Sequence, residues 1–137
     1  MRILVATNGS ESSLKAENFA FDFFKGLPVS ELVVASVVRI TGVLDSEEYT
    51  KAVEEQKKAY SAHQADVERR ALAAGIKKVK KIIAYGSRPA NIVNIAKHEE
   101  VAYIFLGAKK RYPFINLKRS VYDRVAEAAE CPVIIVR

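Results

Sequence analysis

The sequence has little that would cross-link the chain, anchor it in a membrane or bind a metal. Cysteine occurs once, at Cys131, so no internal disulfide can form, which is typical of a reducing compartment. We interpret Cys131, which precedes an apolar strand, as a buried structural thiol. No apolar run approaches the roughly 20 residues that span a bilayer, and the first ten residues predict a strand and a turn instead of a secretion signal. We therefore expect a cytoplasmic protein without a membrane partner.

Metal ligands are equally scarce. The only two histidines are His63 and His98. Both lie in charged helical segments, and neither has a second ligand at the spacing of a metal site. We interpret both as surface residues and expect no metal.

The charge is biased toward lysine and arginine. These total 22 against 16 acidic residues, so the net charge is 22 − 16 = +6, which favours anionic partners. The basic residues cluster at Lys77–Lys81, Lys109–Arg111 and Lys118–Arg119. Lys78 and Lys80 alternate with Val79, as residues on the exposed face of a strand would. We therefore interpret the first cluster as a solvated face. No recognition motif accompanies the clusters, so no specific nucleic-acid partner is expected.

Strand and helix signals alternate along the chain. The predicted strands are Ile3–Ala6, Leu32–Val38, Val79–Tyr85, Ala102–Leu106 and Val133–Val136. Helices are predicted after Ser10, from about Ser46 to Ala74, from Pro89 and after Ser120. Helical crossovers between five strands predict an α/β fold, a five-stranded parallel doubly wound sheet with helices on both faces. The length suits one domain, residues 1–137.

Two of these helices have a predicted inward face. In the first helix the apolar positions with helical spacing are Ala16, Phe19, Ala20, Phe23 and Phe24. In the long second helix, one side carries Val53, Tyr60, His63, Val67 and Ala71. Gly75 stands where a C-terminal cap is expected.

The loop after the fourth strand is the most informative segment. Sheets of this kind bind ligands beyond the carboxyl ends of their strands, where backbone amides and a helix N-terminus attract anions. Phosphate loops need glycine so that the backbone can approach the anion closely. Between the fourth strand and Ser120, Gly107 is the only glycine, and Lys109–Arg111 follow it. The segment therefore predicts a phosphate-binding architecture with unusual chemistry.

The chain resembles the universal stress protein family over essentially its whole length. The segments that carry the resemblance are Ile3–Ser10, Gly86–Pro89 with Ile92 and Ala96, Ile104–Gly107, Ser120–Val121 and Cys131–Val136. The resemblance implies a doubly wound fold, homodimers, a cytoplasmic location and a role in surviving stress. Many members of the family bind ATP or AMP, whereas others do not.

The nucleotide-binding pattern of that family is only partly present. Nucleotide-binding members usually have Pro-x-Asp where this chain reads Ala6-Thr7-Asn8, and Gly-x2-Gly-x9-Gly-Ser/Thr after the fourth strand. Lys110 and Arg119 replace the second and third glycines, and the stretch between them, residues 111–118, is one residue shorter than usual. Val37 matches a position whose backbone contacts adenine. The candidate contacts implied by the resemblance are Ala6, Asn8, Val37, Gly107, Lys110, Arg119, Ser120 and Val121.

Each replacement has a physical consequence. Asn8 keeps one acceptor, adds a donor and loses the charge of aspartate, which should weaken metal-assisted phosphate binding more than adenosine binding. Lys110 and Arg119 attract phosphate, but their side chains occupy space that the backbone needs, and we expect this steric loss to dominate in the usual pose. Ser120 stands three residues before Asp123, which is the spacing of a capping box and favours capping over phosphate binding.

Two functions compete on these grounds. The first is a dimeric stress protein that does not bind ATP in the usual family manner, needs no cofactor, and acts through an unidentified protein partner or as a regulator. The alternative is a sensor that binds ATP or AMP through a phosphate loop rich in lysine and arginine. An enzyme is not expected, because no nucleophile stands beside a base and no carboxylates pair in a plausible cleft.

The homodimer has support of its own. In this topology the apolar segment Val133–Val136 should lie at a sheet edge, and an uncovered apolar edge promotes aggregation. Pairing with a twofold-related copy would cover it symmetrically. We therefore predict a homodimer through Val133–Val136.

Overall fold

The computed structural model describes residues 1–40, 46–109 and 120–137. The elements in these ranges are β1 (Arg2–Ala6), α1 (Glu11–Phe24), β2 (Glu31–Val38), α2 (Glu47–Ala73), β3 (Val79–Tyr85), α3 (Arg88–His98), β4 (Tyr103–Gly107), α4 (Val121–Ala128) and β5 (Val133–Val136). The strands run parallel in the order β3-β2-β1-β4-β5. The predicted five-stranded doubly wound α/β fold is confirmed, and no strand boundary differs from its prediction by more than one residue.

The sheet separates two apolar layers. Helices α1 and α2 cover one face, where Val5 and Val67 are fully buried. Helices α3 and α4 cover the other face, where Leu4 and Val125 are fully buried. Every residue of β2 is buried, as expected of a central strand that is covered on both faces.

The predicted inward face of α1 is confirmed at Ala16, Ala20, Phe23 and Phe24 but not at Phe19. Phe19 is 46% exposed, although its ring contacts Phe105 with 6.2 Å between centroids. The buried residues of the helix are Ser13, Ala16, Glu17, Ala20 and Phe21. The prediction that Phe19 faces the core was wrong. The helix instead buries the carboxylate of Glu17, which contacts polar partners in the interior.

Gly107 ends β4 directly against the first turn of α1. A Cβ atom at this position would lie 2.1 Å from the carbonyl oxygen of Ser12 and 2.9 Å from the backbone nitrogen of Ser13. Both neighbours are backbone atoms, so they cannot turn aside as a side chain would. Gly107 is therefore required for the contact between β4 and α1, whatever it does for a ligand.

The lysines around β3 do more than solvate the surface. Lys80 Nζ lies 2.7 Å from Glu99 Oε1, and Lys78 Nζ lies 3.1 Å from Glu31 Oε2. Both carboxylates are buried. The hydrogen bond from Lys80 lowers the pKa of Glu99 although burial raises it. The predicted solvated face is confirmed, since Lys78 and Lys80 are exposed, but these lysines also neutralise buried charges.

The C-terminal strand lies at the predicted edge. β5 pairs only with β4 among the described strands, and its four residues are half-buried. Cys131, two residues before it, is also half-buried, where a fully buried thiol was predicted. Burial raises the pKa of this thiol, so the inert, protonated form is favoured.

Candidate functional site

A cavity of about 400 Å³ opens at the carboxyl ends of β1, β2 and β4. Its apolar lining residues are Ala6, Ala35, Val37, Ile92 and Leu106, with Gly107 and Val121 beside them. Its polar lining residues are Thr7, Asn8, Ser10, Ser12, Ser13, Arg88, Lys109 and Ser120, with Tyr122 carrying both characters. Parallel sheets bind ligands at this edge, and small-molecule pockets usually hold about 300–1,000 Å³. The cavity is therefore a candidate ligand site.

Most of the residues predicted from sequence meet here. Those that line the cavity are Ala6, Asn8, Val37, Gly107, Ser120 and Val121. Lys110 and Arg119 lie outside the described residues. The part of each of these residues in ligand binding stays a prediction.

The candidate contacts predicted from sequence leave out two cations of the cavity wall, Arg88 and Lys109, although Lys109 was placed in the basic loop after Gly107. Arg88 follows the end of β3 within Gly86–Pro89. Since the carboxyl ends of parallel strands meet at one edge of the sheet, this position could have been connected with the loop after β4. The apolar residues Ile92 and Leu106 were predicted only as parts of a helix and a strand, and they also line the cavity.

Asn8 is held in one orientation by its neighbours. Its Oδ1 accepts hydrogen bonds from the backbone nitrogen of Ser10 at 3.0 Å and from the hydroxyl of Ser13 at 2.7 Å. Because a backbone N–H can only donate, Oδ1 must be the atom that faces Ser10. Among the described residues, the amide NH2 group has no hydrogen-bond partner, since the side-chain contacts of Asn8 are made by Oδ1. Asn8 therefore offers a donor where an aspartate would offer an acceptor and a negative charge.

A buried carboxylate supports the loop between β1 and α1 from below. The Thr7 hydroxyl donates to Glu17 Oε2 at 2.5 Å and accepts from the backbone nitrogen of Gly9 at 3.2 Å. Glu17 is fully buried. Gly9 itself has a φ of +78°, a conformation that glycine adopts at little cost. The hydroxyl of Thr7 thus connects the cavity-lining loop to the core.

Two residues of α2 complete the environment of this carboxylate. His63 Nε2 lies 2.6 Å from Glu17 Oε2, and Arg70 donates a hydrogen bond to Glu17 Oε1. The side chain of His63 is only 18% exposed, so its interpretation as a surface histidine was wrong, whereas His98 is exposed as predicted. Burial lowers the pKa of Arg70, but hydrogen bonds to Glu17 and Asp66 outweigh it and raise the pKa overall. Arg70 therefore remains a cation beside the buried carboxylate.

The N-terminus of α4 is occupied by its own cap. Ser120 Oγ accepts from the backbone nitrogen of Asp123 at 3.3 Å, and Asp123 Oδ2 accepts from the backbone nitrogen of Ser120 at 3.3 Å. The predicted capping box is confirmed. Two backbone N–H groups that a phosphate could use are thus engaged, and a carboxylate stands among them, whereas the Ser120 hydroxyl keeps its proton to donate.

Two negative findings apply to residues 1–40, 46–109 and 120–137. No helix in these ranges combines the length and apolarity needed to cross a membrane. In the same ranges no three histidine, cysteine or acidic side chains are grouped as metal ligands would be.

Solved structures similar to this chain share its fold over nearly full length. A universal stress protein UspA from Lactobacillus plantarum is 25% identical, with 100% of this chain and 97% of that chain covered and a TM-score of 0.77. A universal stress protein in complex with cAMP is 23% identical, with 100% and 97% covered and a TM-score of 0.80. A protein of the universal stress protein family from Burkholderia pseudomallei is 19% identical, with 98% and 94% covered and a TM-score of 0.81.

No curated protein sequence matches the chain. Comparison with protein families, in contrast, matches residues 1–137 to the "Universal stress protein family". The strand order and the capped helix after β4 agree with the resemblance seen in the sequence. This chain therefore belongs to the universal stress protein family.

Proposed function

We propose that this protein is a non-catalytic, homodimeric stress-response protein whose cavity binds an adenine nucleoside or nucleotide, though not ATP in the family's usual pose. The observation that carries the proposal is the cavity at the carboxyl ends of β1, β2 and β4. A flat purine buries its faces against apolar side chains, and Ala35, Val37 and Ile92 provide such a surface. The relative that was solved with cAMP holds an adenine nucleotide and has the same fold.

The rim of the cavity argues against the usual triphosphate pose. Gly107 is in contact with the backbone of α1, and Ser120 is engaged in its capping box. Asn8 lacks the negative charge that would help hold a metal with the phosphates. Binding energy should therefore come mainly from the nucleoside part of the ligand.

The hydroxyls of the cavity serve structure and binding more than catalysis. Ser13 Oγ donates to Asn8 Oδ1, and Ser10 Oγ donates to Ser13 Oγ at 3.1 Å. An activated serine would instead donate to a general base. These contacts support a role in binding a ligand unchanged.

We expect calorimetric titration to show micromolar binding of adenosine and AMP, and magnesium should not improve the binding of ATP over that of AMP. Ser12→Phe should weaken adenosine binding at least tenfold because the ring fills the cavity that Ser12 lines. Ser12→Ala is the matched control, since it removes only a hydroxyl contact with Ser10. We expect this control to bind as the unchanged protein does.

Two results would contradict the nucleotide part of the proposal. One is the absence of heat with every adenine compound, from protein shown to carry no copurified nucleotide. The other is equal binding by Ser12→Phe and Ser12→Ala. Either result would favour the hypothesis of an unidentified protein partner.

The two edges of the sheet support a homodimer through β5. The edge strand β3 carries Lys80 and Lys81, and lysines discourage the pairing of edges. The opposite edge strand, Val133–Val136, carries no charge. Of its residues, Ile135 alone belongs to neither apolar layer among the described residues. The uncharged edge is therefore the better surface for twofold pairing.

Ile135→Lys should give monomers or insoluble protein, because it places a charge in the proposed interface. The measurement is molar mass by light scattering after size-exclusion chromatography. Tyr85→Lys is the matched control, since Tyr85 is 44% exposed at the end of the opposite edge strand. A soluble Ile135→Lys dimer would refute an interface on this strand, and so would an unchanged protein that is monomeric.

A further inference from the structure

A second cavity, which we name the arginine cavity, lies where β2 and β3 end and α3 and α4 begin. It has a volume of about 430 Å³. Eight described residues line it, none of them acidic, and three are the arginines Arg39, Arg88 and Arg124. These come from three different parts of the fold, the end of β2, the first turn of α3 and the first turns of α4. The fold thus gathers cations that are far apart in the sequence.

No carboxylate of the described residues is paired with these arginines. Arg88 donates to the hydroxyl of Tyr60 at 3.3 Å, which is a neutral partner. Arg39 and Arg124 are exposed, and neither forms an ion pair with a described residue, whereas Arg2, Arg69 and Arg70 each do. Like charges that converge on one cavity repel one another, and a bound anion would relieve this repulsion.

The helix at this cavity adds to the positive potential. Ser87 caps α3, and the first turn of that helix contains no acidic residue. The N-terminus of α4, in contrast, carries Asp123 in its first turn. Since a helix N-terminus attracts anions and a carboxylate there competes with them, the end of α3 is the more favourable of the two for phosphate.

The arginine cavity adjoins the first cavity, since Arg88 and Val121 line both of them. The wall that the two cavities share therefore includes an arginine. Guanidinium groups bind phosphate through paired hydrogen bonds, so a phosphate is the anion best suited to this wall.

We propose that the arginine cavity is a phosphate subsite, which receives the phosphate of a nucleotide whose nucleoside occupies the first cavity. This inference rests on the proposed function and specifies its ligand as a nucleotide with its phosphate directed toward α3. In this pose the phosphate lies away from the loop after β4, where lysine and arginine replace glycines. Arg39, Arg88 and Arg124 are its binding residues.

The test compares the affinities of AMP and adenosine by calorimetry. The affinity for AMP divided by the affinity for adenosine should fall about tenfold in Arg39→Gln and in Arg124→Gln, as expected for the loss of one charge-assisted contact. Arg69→Gln is the matched control, because it removes the same charge from an exposed pair with Asp66 on α2. Lys109→Gln tests the other wall of the first cavity. A fall of the ratio in Lys109→Gln, with none in the arginine variants, would overturn the proposal.

A second measurement separates this proposal from the proposed function. Inorganic phosphate, titrated without nucleoside, should shift the backbone amide signals of Ser87, Arg88 and Ala90 in a saturable manner, and Arg39→Gln/Arg124→Gln should abolish the shifts. If adenosine does not bind but these shifts appear, the proposed function fails and the phosphate site stands. If adenosine binds but the shifts are absent and the ratio is unchanged, the phosphate site is refuted and the proposed function stands. If neither adenosine binding nor saturable shifts are seen, both fail.

Discussion

Gly107→Ala is expected to lower the free energy of unfolding by about 3 kcal/mol or more, which corresponds to a fall in Tm of roughly 10 °C. The added Cβ would lie 2.1 Å from the carbonyl oxygen of Ser12 and 2.4 Å from its carbonyl carbon. The clash is with backbone atoms of Ser12 and Ser13, so it is relieved only if β4 and α1 move apart. That movement would open the core around Phe105, which is fully buried.

The expected loss of stability in Gly107→Ala has a steric cause and not a conformational one. A substitution at a second glycine can test this distinction. Positive φ angles occur at Gly9, Gly75 and Gly86 and not at Gly107 or Gly26. A Cβ on Gly26 would meet no atom within 4 Å, so Gly26→Ala should be neutral or slightly stabilising. Urea denaturation of the ligand-free proteins measures both changes. A loss below about 0.5 kcal/mol in Gly107→Ala, the usual range of neutral surface changes, would contradict the contact.

The strand pattern could be predicted from sequence because it depends on short-range information. A continuous apolar run such as Leu32–Val38 predicts a strand covered on both faces, and the structure buries each of its residues. Gly75 was expected as the C-terminal cap of α2, and its φ of +102° agrees with that. The spacing of Ser120 and Asp123 likewise predicted the capping box. In each case the deciding residues lie close together in the chain.

Burial of charge could not be predicted in the same way. Glu17 lies on the inward face of α1 with Ala16 and Ala20, and a carboxylate in an apolar stripe was the only signal. Its partners His63 and Arg70 are 46 and 53 residues away in the chain. Their positions depend on how α2 packs against α1, which no local pattern specifies. The same reason explains why His63 was assigned to the surface.

Site residues could be predicted from sequence where their position depends on the strand order. They could not be predicted where distant elements must pack together to form the site. Ala6, Val37 and Ser120 were expected at the carboxyl edge of the sheet, and they line the cavity there. Arg39 and Arg124 were not singled out, since each is an isolated cation in the sequence. The pairing of β2 with β3 and the packing of α3 against α4 bring them into one cavity with Arg88. The arginines of the arginine cavity are therefore site residues that required the structure.

Glu17→Ala is expected to lower the free energy of unfolding by about 3 kcal/mol. Breaking a buried ion pair usually costs about 3–5 kcal/mol, and the low end applies because Arg70 keeps a second partner. The substitution leaves the Thr7 hydroxyl and His63 without the oxygen that both contact. It also leaves a hole at a position that is fully buried. Thr7 loses the contact that aligns it with Gly9, so the loop beside the cavity should loosen and ligand binding should weaken as well.

Asp66→Asn is the control for this prediction, because Asp66 contacts the same guanidinium from the surface. Arg70 Nε donates to Asp66 Oδ2 at 2.8 Å, and the Asp66 side chain is 42% exposed, whereas that of Glu17 is 0% exposed. Hydrogen bonds from Arg69 and Arg70 lower the pKa of Asp66, but solvent and salt screen an exposed pair, so its loss should have a far smaller effect. Equal losses of stability in Glu17→Ala and Asp66→Asn, measured by urea denaturation at low and high salt, would show that the buried carboxylate has no special role. If Glu17→Ala alone is destabilised, and its loss is insensitive to salt, Glu17 is the charge that joins α1, α2 and the loop of the cavity.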